Sequence, residues 1–378
     1  MQLINVTGRF CALFLMLLLI GCGAGSADEN NTPALSADPL CDQSGSEINW
    51  QALQQTRCPL LSQYGLFKGL PSDIKNSNGG IYYKLGSELF TDHARKYRYI
   101  FLPEGTQLGY EQQDVLDFPT GSVIVKVFAM PTQSTTDSAE YIMEVRLLVK
   151  RSSGWIFIPY VWDNSINDAR LAIAGSQTPV SFSHKGEMLN LTYESPSLLR
   201  CQNCHQVKIN DQLSFVPIGP KIRHLNQTIE VNGQPVNQLE HWQSLGLITL
   251  PAGEHPYAPD WRDASAPLQQ RAKAYLDINC AHCHNDNGAA ALSGLRLEYW
   301  RTAIDYTHGV CNSAHGWRGG GFDIWPGRGN DSSLPLRMEL NGAADRMPPI
   351  GRSVPDKDAV ALIRAWIDTL PAQDCASG

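Results

Sequence analysis

The chain has no long basic run, no fixed-period repeat and no uncharged apolar run long enough to cross a bilayer comfortably. Without a basic stripe, and with a formal net charge of −7, nucleic acid is excluded as a partner class. Without a repeat, solenoids and propellers are excluded. Charged residues make up 18% and hydrophobic residues 43%, an ordinary folded balance with no sign of extensive disorder. The glycine-rich stretch "GWRGGGFDIWPGRGNDSS" (316–333) lacks the strand, Gly-Lys-Ser/Thr turn and helix of a phosphate loop.

What is present begins at the N-terminus. After Arg9, "FCALFLMLLLIG" runs uncharged to Cys22 and reads as the apolar core of a secretory signal. The stretch Leu18–Cys22, "LLIGC", resembles the lipobox of bacterial lipoproteins. That resemblance implies removal of residues 1–21, acylation of Cys22 and anchoring to a membrane, with several acyl chains giving stable attachment where one would not. Residues 22–44, rich in small and polar side chains, then form a flexible tether. By the same resemblance, Gly23 favours the outer membrane. The expected location is the bacterial cell envelope, facing the periplasm.

Beyond the tether, "GSVIVKVFAM" (121–130), "AEYIMEVRLLVK" (139–150) and "GWIFIPYVW" (154–162) read as strands between turn signals, the last two joined as a hairpin. Residues 45–195 are therefore expected to form a β-rich, sandwich-like domain. The second half carries helical spacing: Val236, Leu239 and Leu245 in 234–248, a stripe in 265–279 behind a capping Ser265, and Val360, Ile363, Trp366, Ile367 and Leu370 behind a capping Ser353. The expected fold is α+β and multi-domain, with the β-rich part followed by an all-α domain over 262–374. Residues 196–261, which carry Cys201, Cys204 and His205, are expected to form a first cofactor-binding segment with a connecting helix.

The chemistry sits in two short stretches, "LLRCQNCHQV" and "LDINCAHCHNDNGAA". The first holds Cys201, Cys204 and His205, the second Cys280, Cys283 and His284. With ten Cys and ten His in 378 residues, chance supplies about 0.007 matches to C-x-x-C-H, so two are no coincidence. Two residues between the thiols let both reach the vinyl groups on one edge of a porphyrin, and the adjacent imidazole then faces the iron. C-x-x-C-H is the attachment signature of c-type haem. A Cys₄ zinc site joining the pairs would need far closer spacing and would leave the histidines without a role. A thioredoxin-like dithiol would need a βαβ setting that neither stretch has, and disulfides within the C-x-x-C pairs are awkward to close.

A thioether often completes the iron's sixth site and raises its potential. Met347, in "ADRMPPIGRSV", is stiffened by Pro348 and Pro349; its competitor Met338 sits in "LPLRMELNG", which looks like core packing. Helix, C-x-x-C-H, methionine loop and closing helix together make residues 262–374 resemble a class I cytochrome c domain. That resemblance implies two crossing helices, with Tyr275 and Leu276 against Ile363 and Trp366. More broadly, residues 58–374 resemble a family of bacterial dihaem cytochrome lipoproteins, through "LSQYGLF", "LPEGTQL", "FPTGSVIVKVF" and "RMPPIGR" beside the two motifs. For the first haem, His184, Met188 and His224 are candidate sixth ligands, and Arg318 and Arg328 are candidate partners of haem propionates.

With residues 1–21 removed, four cysteines remain beside Cys22 and the motifs: Cys41, Cys58, Cys311 and Cys375. An even number in an oxidising compartment reads as disulfides with three possible connectivities, and proximity favours Cys41–Cys58 with Cys311–Cys375. The expected protein is an electron carrier with two covalent haem c groups, a redox donor and acceptor, and a lipid anchor. The alternatives are a dihaem enzyme of peroxidase type, which needs an open iron site beside acid–base residues, and an envelope binding module coupled to a redox partner.

Overall fold

Alternating apolar residues between positions 81 and 171 build one antiparallel meander of six strands in sequential order. These are β1 (Ile81–Tyr83), β2 (Arg95–Phe101), β3 (Val123–Pro131), β4 (Glu140–Arg151), β5 (Gly154–Asp163) and β6 (Asp168–Leu171). The computed structural model describes residues 38–375 except 43–46, 70–72, 74–75, 134 and 136–137, and places them in one compact unit. The tight turn between β4 and β5 uses Ser152 and Ser153, with Gly154 at φ +110° where an L side chain would be strained. A bulge between Phe128 and Ala129 shifts the register of β3 on β4.

Because successive strand residues point to opposite faces, the sheet has two distinct sides. One carries Tyr99, Phe101, Val123, Val125, Val127, Val145, Leu147, Ile158 and Tyr160, all at 1% exposure or less. It is covered by the N-terminal segment: a 3-10 turn (Pro39–Asp42), α1 (Trp50–Gln55) capped by Asn49, and a second 3-10 turn (Leu61–Tyr64). The disulfide Cys41–Cys58 closes that cover, and Tyr160 donates to the Cys58 carbonyl at 2.7 Å. Each fully buried aliphatic side chain here contributes about 1.5–3 kcal/mol.

The opposite side has Ile100, Ile124, Leu148 and Phe157 toward one end, and Phe128 and Met130 toward the other. It is covered by the hairpin β7 (Ser176–His184)–β8 (Glu187–Ser195), by α2 (Leu198–His205), and by the chain from 206 to 244. That continuation comprises the hairpin β9 (Gln206–Ile209)–β10 (Gln212–Phe215), α3 (Ile222–Leu225), the hairpin β11 (Thr228–Val231)–β12 (Gln234–Asn237) and α4 (Gln238–Ser244).

The remainder contains α5 (Leu268–Asn279), α6 (Ser333–Glu339) and α7 (Lys357–Thr369). Ala272, Tyr275 and Leu276 of α5 share a core with Val360, Ile363, Trp366 and Ile367 of α7. The disulfide Cys311–Cys375 ties the loop region to the segment after α7.

The expected fold class needs correction in both halves. No second large sheet faces the meander to make a sandwich; the other three sheets among the described residues are two-stranded hairpins. The all-α domain over 262–374 is not formed either. Its helices are only twelve, seven and thirteen residues long, set among 3-10 turns and isolated bridges such as Val310–Ile324 and Ser313–Phe322. The physical reason lies between the helices, where glycines at positive φ (Gly294, Gly309, Gly316, Gly320, Gly321, Gly327) turn the chain repeatedly. The helix expected over 234–248 is also shorter. Asn232 and Gly233, both at positive φ, turn β11 into β12, and the Asn237 side chain then caps α4 by accepting from Leu239 and Glu240. Helix α7 is capped by Asp356 rather than Ser353, and α5 starts after Pro267 rather than at Ser265.

Candidate cofactor cavity between the two cysteine–histidine motifs

The first motif lies on α2, whose N-cap Ser197 accepts from Arg200. Cys201, Cys204 and His205 stand at i, i+3 and i+4, hence on one helical face. That face meets β5, and the His205 ring packs on Phe157 with centroids 4.6 Å apart. The second motif leaves the C-terminus of α5 as one tight turn, with Cys283 and His284 amides donating to the Cys280 carbonyl at 3.1 and 2.9 Å.

The exits of the two motifs are stitched together. Val207 bridges Gly288, and the Lys208 amide donates to the Asn287 carbonyl at 2.9 Å. Gly288 is required there, because a Cβ would stand 2.3 Å from the Cys283 carbonyl oxygen. This pairing brings Cys204 and Cys283 into hydrogen-bond contact. The Cys283 thiol and His282 both favour a thiolate at Cys204, which is therefore the more acidic of the two, while Cys283 is pushed up. Burial also raises Cys201 and pushes Cys280 up to about 12. All four motif thiols are free, whereas Cys41, Cys58, Cys311 and Cys375 are closed into disulfides.

Both histidines are held through Nδ1. The His205 Nδ1 lies 2.7 Å from the Val216 carbonyl oxygen, which can only accept. The His284 Nδ1 lies 2.9 Å from Ser293 Oγ, whose own proton goes to the Ala290 carbonyl at 2.7 Å, so the imidazole is the donor. In each ring the proton sits on Nδ1 and the Nε2 lone pair is left for a metal, the arrangement usual for ligating histidines. Burial keeps both neutral: it holds His284 down to about 4 and His205 well below its ordinary range.

Both motifs open onto one cavity of about 590 Å³, walled also by Phe157, Leu148 and Met347. Its size is that of a cofactor site. The Met347 loop is fixed from two sides. The buried Arg352 guanidinium donates to the carbonyls of Met347 (3.0 Å) and Leu340 (2.7 Å) and to Asn341 Oδ1 (2.9 Å). From the other side, Asp92 accepts from the Ser353 amide (2.8 Å), its hydroxyl (2.9 Å) and the Val354 amide (3.0 Å). Asp92 is aimed by a turn whose central residues, Asp92 and His93, both have positive φ (45° and 63°), a cost that marks a constrained site.

The remaining candidates lie elsewhere. Met338 is 5% exposed in the α5–α7 core. Met188 is 64% exposed; the His184 ring stacks on His93 with centroids 4.1 Å apart; and His224 is buried with its Nε2 hydrogen-bonded to Asp277 at 2.7 Å. None of the three lines the cavity. Arg318 and Arg328 are exposed, Arg328 lying over Trp325, and neither lines it. Cys22 lies outside the described residues. Among the described residues no three His, Cys, Asp or Glu side chains converge closely enough to hold a metal ion, so the four thiols do not form a Cys₄ cage.

The sequence reading missed the cavity's cations. Lys96, Arg98, Lys126 and Arg146 all line it. Arg98 pairs with Glu88 at 2.8 Å, and Arg146 with the buried Glu144, which also accepts from Tyr193 at 2.7 Å. Burial, with the charges of Arg98 and Arg146 opposing it further, pushes Lys126 down to about 7. The signal was present as basic residues within three largely apolar strands: Lys96 and Arg98 in β2, Lys126 in β3 and Arg146 in β4.

No family model, curated protein or solved structure matches the chain.

Proposed function

We propose that this chain is an exported, lipid-anchored dihaem cytochrome of the c type that passes electrons between redox proteins of the cell envelope. The observation that carries the reading is the contrast among the cysteines: four are closed into disulfides, while the four in the motifs stay reduced and face one cavity. Each free thiol is set to add its S–H across a vinyl double bond, a step that balances without an oxidant. His205 and His284 offer Nε2 to iron, with Nδ1 held by Val216 and Ser293. Met347, which lines the same cavity, would offer its thioether to the iron, and Arg352 and Asp92 hold its loop. The group would supply reversible one-electron chemistry. The chain's part is to fix the donors, keep water away and keep the two sites close, since Cys204 touches Cys283. The membrane anchor would be Cys22, on the strength of "LLIGC".

The test is intact mass of protein matured in a host able to attach haem c. The expected mass exceeds the polypeptide by two haems, and Cys201→Ala with Cys204→Ala removes one. A mass equal to the bare chain would overturn the reading.

A further inference from the structure

The sheet face beneath the cavity carries a feature that haem attachment does not require. Arg98 on β2 stands directly opposite Lys126 on β3, which stands directly opposite Arg146 on β4. Like charges set opposite one another across strands are destabilising. On the same face, the neighbours two residues along β3, Ile124 and Phe128, are apolar and buried. An apolar residue at 126 would continue that surface without cost.

The charges do not cancel within the protein. Glu88 answers Arg98 and Glu144 answers Arg146. Lys96 reaches only the Ala94 carbonyl, and among the described residues Lys126 has no hydrogen-bond or ion-pair partner. Four cations line the cavity against two carboxylates that meet them. A half-buried ammonium that faces an apolar-walled cavity without a partner is costly, so the row fits a function in which the counter-charge arrives with a ligand.

We propose that the row Arg98–Lys126–Arg146 is a carboxylate seat, with Lys126 as its central contact. Two sources supply that chemistry: the propionates of a tetrapyrrole held by the motifs, or a free carboxylate anion entering the cavity. Only the first source rests on the haem reading. The seat differs from the expectation of propionate contacts at Arg318 and Arg328, neither of which lines the cavity.

The experiment uses the mature protein with haem isotopically labelled at the propionate carboxyls, read by redox-difference infrared spectroscopy. Lys126→Met is expected to move the labelled carboxylate band, Lys126→Arg to restore its position, and Arg328→Ala to leave it unchanged. A parallel calorimetric titration with acetate compares wild type with Lys126→Met. A labelled band that moves assigns the seat to the propionates. A band that stays, with acetate binding at least tenfold weaker in Lys126→Met, assigns it to a free carboxylate. If neither measurement responds to Lys126→Met while its melting transition stays cooperative, the seat is overturned. A mass without haem would sink the cytochrome reading instead, and the acetate titration would still decide the seat.

Discussion

The two faces of the meander are made by alternate residues of the same strands, yet they do opposite work. Val123, Val125 and Val127 enter an apolar core covered by the Cys41–Cys58 segment. Ile124, Lys126 and Phe128, one step out of phase, form a surface that is apolar at its ends and cationic in its middle, beneath both cysteine motifs. The comparison teaches that stability and chemistry here are separated by a single side-chain step. One face holds the sheet together, and that security lets the other carry charges a core would not tolerate.

The sharpest way to break this comparison is to exchange the characters of adjacent residues. Val125→Asp puts an unpaired carboxylate into the sealed face, at a cost on the order of 5 kcal/mol, and is expected to abolish cooperative thermal unfolding. Lys126→Met, its neighbour, is expected to keep a cooperative transition, since methionine fills the volume of the lysine stem and the lost charge had no partner among the described residues. If both variants unfolded alike, the second face would be a core like the first.

A smaller effect tests how the cavity side is tied to the methionine loop. Asp92→Asn weakens acceptance from Ser353 and Val354 and is expected to cost about 1–3 kcal/mol. On the proposed cytochrome reading, it should also reduce, in the ferric protein, the weak charge-transfer band at the red end of the visible spectrum that reports Fe–S(Met) bonding. Met347→Ala should abolish that band and Met338→Ala should leave it in place. A band lost in Met338→Ala and kept in Met347→Ala would reverse the ligand assignment.

A pH-dependent effect separates acid sensitivity from both faces. His308 is 1% exposed against Trp366, and burial, followed by the charge of Lys273, holds it down to about 4 from an ordinary 6.5. Between those values the unfolded chain binds a proton there and the native chain does not. This contribution to stability is therefore full above pH 6.5 and is lost as pH falls toward 4. His308→Phe is expected to flatten the fall of melting temperature over that window. An unchanged slope would place the acid response elsewhere.

How much was legible varies with how local the cause is. The strands at 121–130, 139–150 and 154–162 were readable because alternation and turn residues act over a few positions, and β3, β4 and β5 lie within a residue or two of those bounds. The motifs were readable because their chemistry is fixed by spacing. The meeting of Cys204 with Cys283 was not, since no periodicity reports which distant segments pair. The all-α expectation for 262–374 failed because α5 and α7 were weighed more heavily than the glycines between them. Ser353 looked like a cap because of its place before Pro355, but its amide and hydroxyl are taken by Asp92, a partner far away in sequence. Arg98, Lys126 and Arg146 each pass singly as solvent-facing strand residues; only their register makes them a row.

The stitch between Val207–Lys208 and Asn287–Gly288 has a consequence for the order in which the molecule is put together. The strand leaving the first motif finds its partner in a loop beyond the second, so the wall between the sites cannot close until a long intervening stretch has been delivered. Until then the first pair of thiols stands on a short helix with one side open. As it folds the chain thus keeps a late door: local hairpins of the meander can settle early, while the compartment they support waits for the last third of the polypeptide before it shuts.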